Sequence, residues 1–121
     1  MDFALSEEQQ AIFEMAHAFG QDAIAPHALA WEKAGTIPRD LWPRVAELGL
    51  EGIYVGEDHG GSGLSRLDAT LVFEALAMAC PSVSAFLSIH NMCGGMIEAY
   101  GDDAARDRWL PAACAMRTVF S

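Results

Sequence analysis

Near the N-terminus, apolar positions recur at three- and four-residue steps: Ile12, Met15, Ala16, Phe19 and Ala23 fall on one face of a helix. Ser6-Glu7-Glu8-Gln9 precedes them with capping-box spacing, and its acidic residues are well placed in a first turn. Pro26 suits the opening turn of a second helix over His27 to Ala34, stopped by Gly35. A third is expected from about Pro38 to Leu48 and ends at Gly49. It turns Leu41, Val45 and Leu48 inward and holds Pro43 in its first turn or two. The helical period then breaks. Ile53-Tyr54-Val55 is β-prone and is followed by Gly56, Gly60, Gly61 and Gly63, which predicts an ordered loop over Leu50 to Leu64 with one short strand. Ser65, with Asp68 at the third helical position, caps a fourth helix that runs to about Cys80. A fifth covers roughly Ser82 to Tyr100 before Gly101, and Asp102 caps a sixth from Asp103 to about Ala115. The fold class is all-α: a compact bundle of about six helices with one ordered Gly-rich loop.

No charged residue stands between Glu74 and Glu98, a gap long enough to span a bilayer. The same gap holds Pro81, Ser82, Ser84, Ser88, His90 and Asn91, which are costly in lipid. Pro81-Ser82 reads as a break between two buried helices. No repeat or linker interrupts the chain.

With 121 residues, 52 % of them hydrophobic and 20 % charged, the sequence is that of one folded domain rather than a disordered chain. Seventeen acidic against seven basic residues give a net charge of −10. That balance argues against nucleic-acid partners and against docking on an anionic membrane. Cys80, Cys93 and Cys114 form no CxxC pair, so neither a disulfide framework nor a zinc knuckle is expected. Met1-Asp2-Phe3 opens no secretory signal, and a reducing cytoplasmic location follows as the expectation.

The candidate chemistry is thin. Gly56 to Gly61 has phosphate-loop spacing, but Ser62 stands where the lysine belongs. The dinucleotide and nucleophile-elbow patterns starting in the same loop fail at Arg66 and Leu64. The loop therefore reads as a structural turn. His17, His27, His59 and His90 lack metal-ligand spacing, so no metal site is expected, and Asp58-His59 reads as a solvated loop pair. His90-Asn91 in the charge-free segment reads either as a buried polar pair satisfying its own hydrogen bonds or as the wall of a ligand cavity. Nothing assembles a catalytic centre.

Leu5-Ser6-Glu7-Glu8-Gln9, Ile24-Ala25-Pro26, Leu41-Trp42 and Glu47-Leu48-Gly49-Leu50 together resemble the N-terminal helical domain of the acyl-CoA dehydrogenases. So do Gly60-Gly61-Ser62-Gly63-Leu64, Glu74-Ala75-Leu76, Tyr100-Gly101 and Trp109-Leu110-Pro111. The likeness runs from Met1 to about Met116 and leaves residues 117–121 as a divergent tail. Ser88-Ile89-His90-Asn91-Met92-Cys93 is most like the isobutyryl-CoA branch of the family.

The resemblance implies α,β-dehydrogenation of a short branched acyl-CoA with FAD, electrons passing to an electron-transfer flavoprotein, and a homo-oligomer. It implies that Ile89, His90, Met92 and Cys93 form part of the wall around the acyl chain. Gly95 stands where members tend to carry a large aromatic, which would enlarge that cavity. The middle domain and the glutamate-bearing C-terminal domain of the family have no counterpart in these residues. The expectation is a truncated product, inactive alone, that would expose Phe86, Ile89 and Met96. The alternative is a stand-alone helical module that self-associates or docks without catalysis. A relative passing electrons to oxygen, as an acyl-CoA oxidase does, stays open.

Overall fold

The computed structural model describes residues 1–121 and contains six α-helices and no strand. Helix α1 (Glu7–Phe19) begins where Ser6 Oγ accepts the amide of Gln9 and the Gln9 side chain accepts the amide of Ser6. It does not stop at its end. A five-residue π-helical segment, Gly20–Ile24, continues it and buries Ala23 and Ile24. Only then does the chain turn through Pro26 into α2 (Ala28–Ala34), closed by Gly35 at φ 70°.

Helix α3 (Leu41–Glu47) is shorter than the sequence suggests, because residues 39 and 40 form a turn before it. Leu41, Trp42 and Val45 face the core. Leu48, expected inside, is 37 % exposed, because the chain has left the helical period by then.

Helix α4 (Arg66–Ala77) opens on a second reciprocal capping box between Ser65 and Asp68 and ends three residues before Cys80. Helix α5 (Pro81–Tyr100) takes Pro81 at its first position, where a missing N–H costs nothing. Helix α6 (Asp103–Cys114) starts at Asp102, whose side chain accepts the Ala105 amide. The helices pack α1 on α4, α4 on α5 and α5 on α6. The core between them centres on Ala16, Ile24, Val45, Ile53, Leu76 and Leu87.

The strand expected at Ile53-Tyr54-Val55 does not form. These residues lie in turns, with Ile53 and Val55 buried, because no second extended segment is present to pair with them. Their backbone bonds instead go to the glycine loop: Gly63 N–H donates to Val55 O at 2.8 Å and Leu64 N–H to Ile53 O at 2.7 Å. Gly61 is dictated by closeness, since a Cβ there would sit 2.1 Å from Val55 O. The loop is held onto α5 by Asn91. Its Nδ2 donates to Leu50 O and Leu87 O, each at 2.9 Å, and its Oδ1 accepts the Ile53 amide at 2.7 Å.

Candidate functional site

Helix α5 carries most of the charge-free run and presents two unlike faces. Inward, Val83, Leu87, His90, Asn91 and Gly94 are buried. Outward, Ile89, Met92 and Met96 follow one another at helical spacing and are 41 %, 44 % and 55 % exposed. Cys93 lies half-buried at the edge of that strip and is a free thiol. The helix is therefore not buried all round, as its composition suggested. Phe86, expected in solvent, is half-buried and stacks on Trp42 with ring centroids 4.5 Å apart.

Of the four expected wall residues, the fold brings Ile89, Met92 and Cys93 to one side and sends His90 to the other. His90 is 1 % exposed, and its two ring nitrogens have different partners. Nδ1 accepts the Phe120 amide at 3.1 Å, which leaves the proton on Nε2 to be donated to Ala113 O at 3.1 Å. The Phe120 ring stacks on the imidazole at 5.4 Å, so residues after Met116 fold back over α5. Burial lowers the pKa of His90 from the usual 6.5, against the smaller opposing effect of the Ala113 bond. His90 and Asn91 thus satisfy their bonds separately.

The enlarged cavity expected at Gly95 is not there. Tyr54 fills the space, its ring atoms 3.2 Å from where a Gly95 Cβ would be, with Arg66 stacked over the ring at 4.0 Å. A groove of about 1210 Å³ opens elsewhere, between α2, α3 and the start of α5. Trp31, Ile37, Trp42 and Phe86 line it, with Arg39 and Arg117 among its polar residues, and none of the four expected wall residues reaches it. No periodic signal marks this groove, which gathers residues from three distant stretches of chain.

The glycine loop offers no phosphate cradle. The amides of Gly61, Ser62, Gly63 and Leu64 all donate to carbonyls within the loop, and Ser62 Oγ donates to Gly49 O at 2.7 Å. Beneath it Glu51 is buried with an unpartnered carboxylate oxygen, and burial pushes its pKa up to about 7. Burial, with help from Glu51 and Glu98, pushes the Cys114 thiol up to about 11, which leaves it unreactive.

Asp58 and His59 correct another expectation. Asp58 is exposed, but the His59 side chain is only 16 % exposed and faces three carboxylates, those of Asp58, Glu98 and Asp107. The 3-10 turn Glu57–His59, packed on α6, lets these neighbours point at each other. Glu98 and Asp107 come from 39 and 48 residues away, beyond any local spacing rule.

No helix is long and apolar enough to cross a membrane. Residues 6–117 match the family described as "Acyl-CoA dehydrogenase, N-terminal domain". Mitochondrial isobutyryl-CoA dehydrogenase of Dictyostelium discoideum is 49 % identical over 117 residues, which cover 97 % of this chain and 28 % of that protein. The Bos taurus isobutyryl-CoA dehydrogenase is 44 % identical with the same coverage. Among solved structures, the butyryl-CoA dehydrogenase of Megasphaera elsdenii superposes with a TM-score of 0.87 at 29 % identity, over 98 % of this chain and 32 % of that one. The chain spans less than a third of the length of the curated relatives it matches. Six helices in this order, folded on a glycine loop pinned by Asn91 and matched over residues 6–117, belong to the acyl-CoA dehydrogenase family and build its N-terminal domain.

Proposed function

We propose that residues 1–116 serve as the substrate-side helical domain of an FAD-dependent enzyme that dehydrogenates a short branched acyl-CoA of the isobutyryl type. One observation carries the reading. On a helix without a single charge before Glu98, Ile89, Met92 and Met96 stand in solvent beside Cys93. Such a strip suits an acyl chain and keeps water from the carbons that lose hydrogen. His90 belongs to the reading from behind, as the side chain that ties the back of α5 to α6. The 49 % identity to the Dictyostelium relative supports the branched short-chain class.

The residues present do not fit a flavin by themselves. The loop amides are engaged, and the N-termini of α1, α4 and α6 are closed by Ser6, Ser65 and Asp102. No proton or hydride step is assigned to this chain, and its own contribution is to shape and dry one side of the pocket. An electron-transfer flavoprotein as electron acceptor and a homo-oligomeric assembly complete the reading. The three free thiols suit a reducing cytoplasm.

The test has two arms. Titrated with FAD and isobutyryl-CoA, with its mass in solution recorded, the isolated chain is expected to show no saturable flavin binding. Exchanged for the matching segment of the Dictyostelium enzyme, residues 1–116 should support turnover of isobutyryl-CoA. In that chimera Ile89→Trp and Met92→Trp should each lower kcat/KM by about tenfold or more with FAD content unchanged. Unchanged kcat/KM in both variants would overturn the reading.

A further inference from the structure

We infer that Asp58, His59 and Glu98 form a binding site for a divalent transition-metal ion of the zinc class, with Asp107 orienting the histidine. His59 Nδ1 lies 3.5 Å from Asp58 Oδ1 and 3.6 Å from Glu98 Oε2, and the three ligand atoms sit within 4.8 Å of one another. On its other side, His59 Nε2 is 3.2 Å from Asp107 Oδ1. A carboxylate can only accept there, so Nε2 carries a proton, and in the neutral ring this leaves the Nδ1 lone pair facing the two remaining carboxylates. Carboxylate, imidazole and metal commonly follow one another in this order in metal sites.

The two Nδ1 distances are long for a charge-assisted hydrogen bond. A protonated imidazole would close on a carboxylate to about 2.7–2.9 Å. Two ligand atoms each about 2.1 Å from a tetrahedral zinc stand about 3.4 Å apart, close to the two spacings at Nδ1, while the two carboxylate oxygens lie within 4.8 Å of each other. His59 Nδ1 and Glu98 Oε2 are also sealed from solvent with no hydrogen-bond partner in the protein, a costly arrangement for two bare acceptors face to face. No lysine or arginine forms an ion pair with these carboxylates: Arg44 pairs with Asp22, and Arg106 pairs with Asp103 while donating to the Glu98 backbone carbonyl at 2.9 Å. The backbone makes room for the convergence at Gly56, where a Cβ would strike Asp58 Oδ1 at 2.6 Å and approach Glu98 Oε1 at 3.2 Å. One imidazole with two carboxylates favours zinc over the all-oxygen ions calcium and magnesium.

The experiment strips the 121-residue chain with a chelator, titrates Zn²⁺ against a chromogenic competitor, and records the visible spectrum with Co²⁺. One equivalent of zinc and a tetrahedral Co²⁺ band are expected. Asp58→Asn, at an exposed position that leaves folding untouched, and His59→Gln should each weaken binding by roughly tenfold or more, and Asp107→Asn by roughly 10–100-fold. His17→Gln, remote from the site, should bind as the unaltered chain does. No saturable zinc binding, or binding that Asp58→Asn and His59→Gln leave unchanged, would overturn the inference and make the cluster an ion pair around an imidazolium.

Discussion

At the scale of single residues, the firmest consequences come from side chains the sequence left unremarkable. Gly61 has no room for a methyl group against the Val55 carbonyl, whereas Gly60 (φ 90°) has space around it and only an unfavourable backbone angle. Gly61→Ala should therefore destabilise the fold by about 3 kcal/mol and Gly60→Ala by about 1 kcal/mol in urea titrations. Glu51 and His90 pull the pH dependence in opposite directions. The folded pKa of Glu51 is raised, so its contribution is intact below 4.5 and is lost as pH climbs through about 7. Glu51→Gln should match the parent at pH 4.5 and exceed its stability at pH 8 by on the order of 2 kcal/mol. The folded pKa of His90 is lowered, so its contribution is intact above 6.5 and fades as pH falls below that value. An NMR titration should place the His90 midpoint below 6.5, and loss of the Phe120 contact should accompany protonation.

At the scale of elements, helix starts were legible and continuations were not. Ser6 and Ser65 open α1 and α4 as capping boxes because that motif is written entirely in local sequence. Ser6→Ala should cost ~1 kcal/mol by denaturant titration. The π-helical run Gly20–Ile24 was not legible, since apolar spacing alone does not reveal one extra residue per turn. Ile53-Tyr54-Val55 has strand propensity but no strand to pair with, so tertiary context overrode it. Of the four side chains that the resemblance offered as a wall, Ile89, Met92 and Cys93 share a face by helical spacing, whereas the orientation of His90 depended on Ala113 and Phe120, 23 and 30 residues away. The two faces of α5 can be told apart by substitution. Leu87→Ala should cost about 2–5 kcal/mol, and Ile89→Ser within about 0.5 kcal/mol of nothing, in the same denaturant assay.

For the whole molecule, the outer strip of α5 is one of several exposed apolar features, with Leu29, Leu67 and Met78 on other segments, on a chain carrying a net charge of −10. Apolar surface favours association and like charge opposes it. Salt screens only the second, with a reach near 8 Å at physiological ionic strength. Dye binding and sedimentation should thus show association that strengthens between low and physiological salt. Association that weakens with salt would mean that charge pairing holds the copies together. The all-helical class was legible because six segments are punctuated by Ser, Asp, Pro and Gly, three of them opened by side-chain caps. The His59 cluster was not, because it assembles only when the glycine loop meets α5 and α6.

The division of labour within α5 has a consequence for how such a domain changes over generations. Asn91 and His90 hold the helix from behind through five hydrogen bonds to backbone groups, four of them outside α5, and neither contributes to the strip in front. Replacements at Ile89, Met92 or Met96 are therefore nearly invisible to folding while they alter the surface offered to whatever lies against it. In the role proposed for this strip, a lineage could drift from one acyl shape to another, one side chain at a time, without passing through an unstable ancestor.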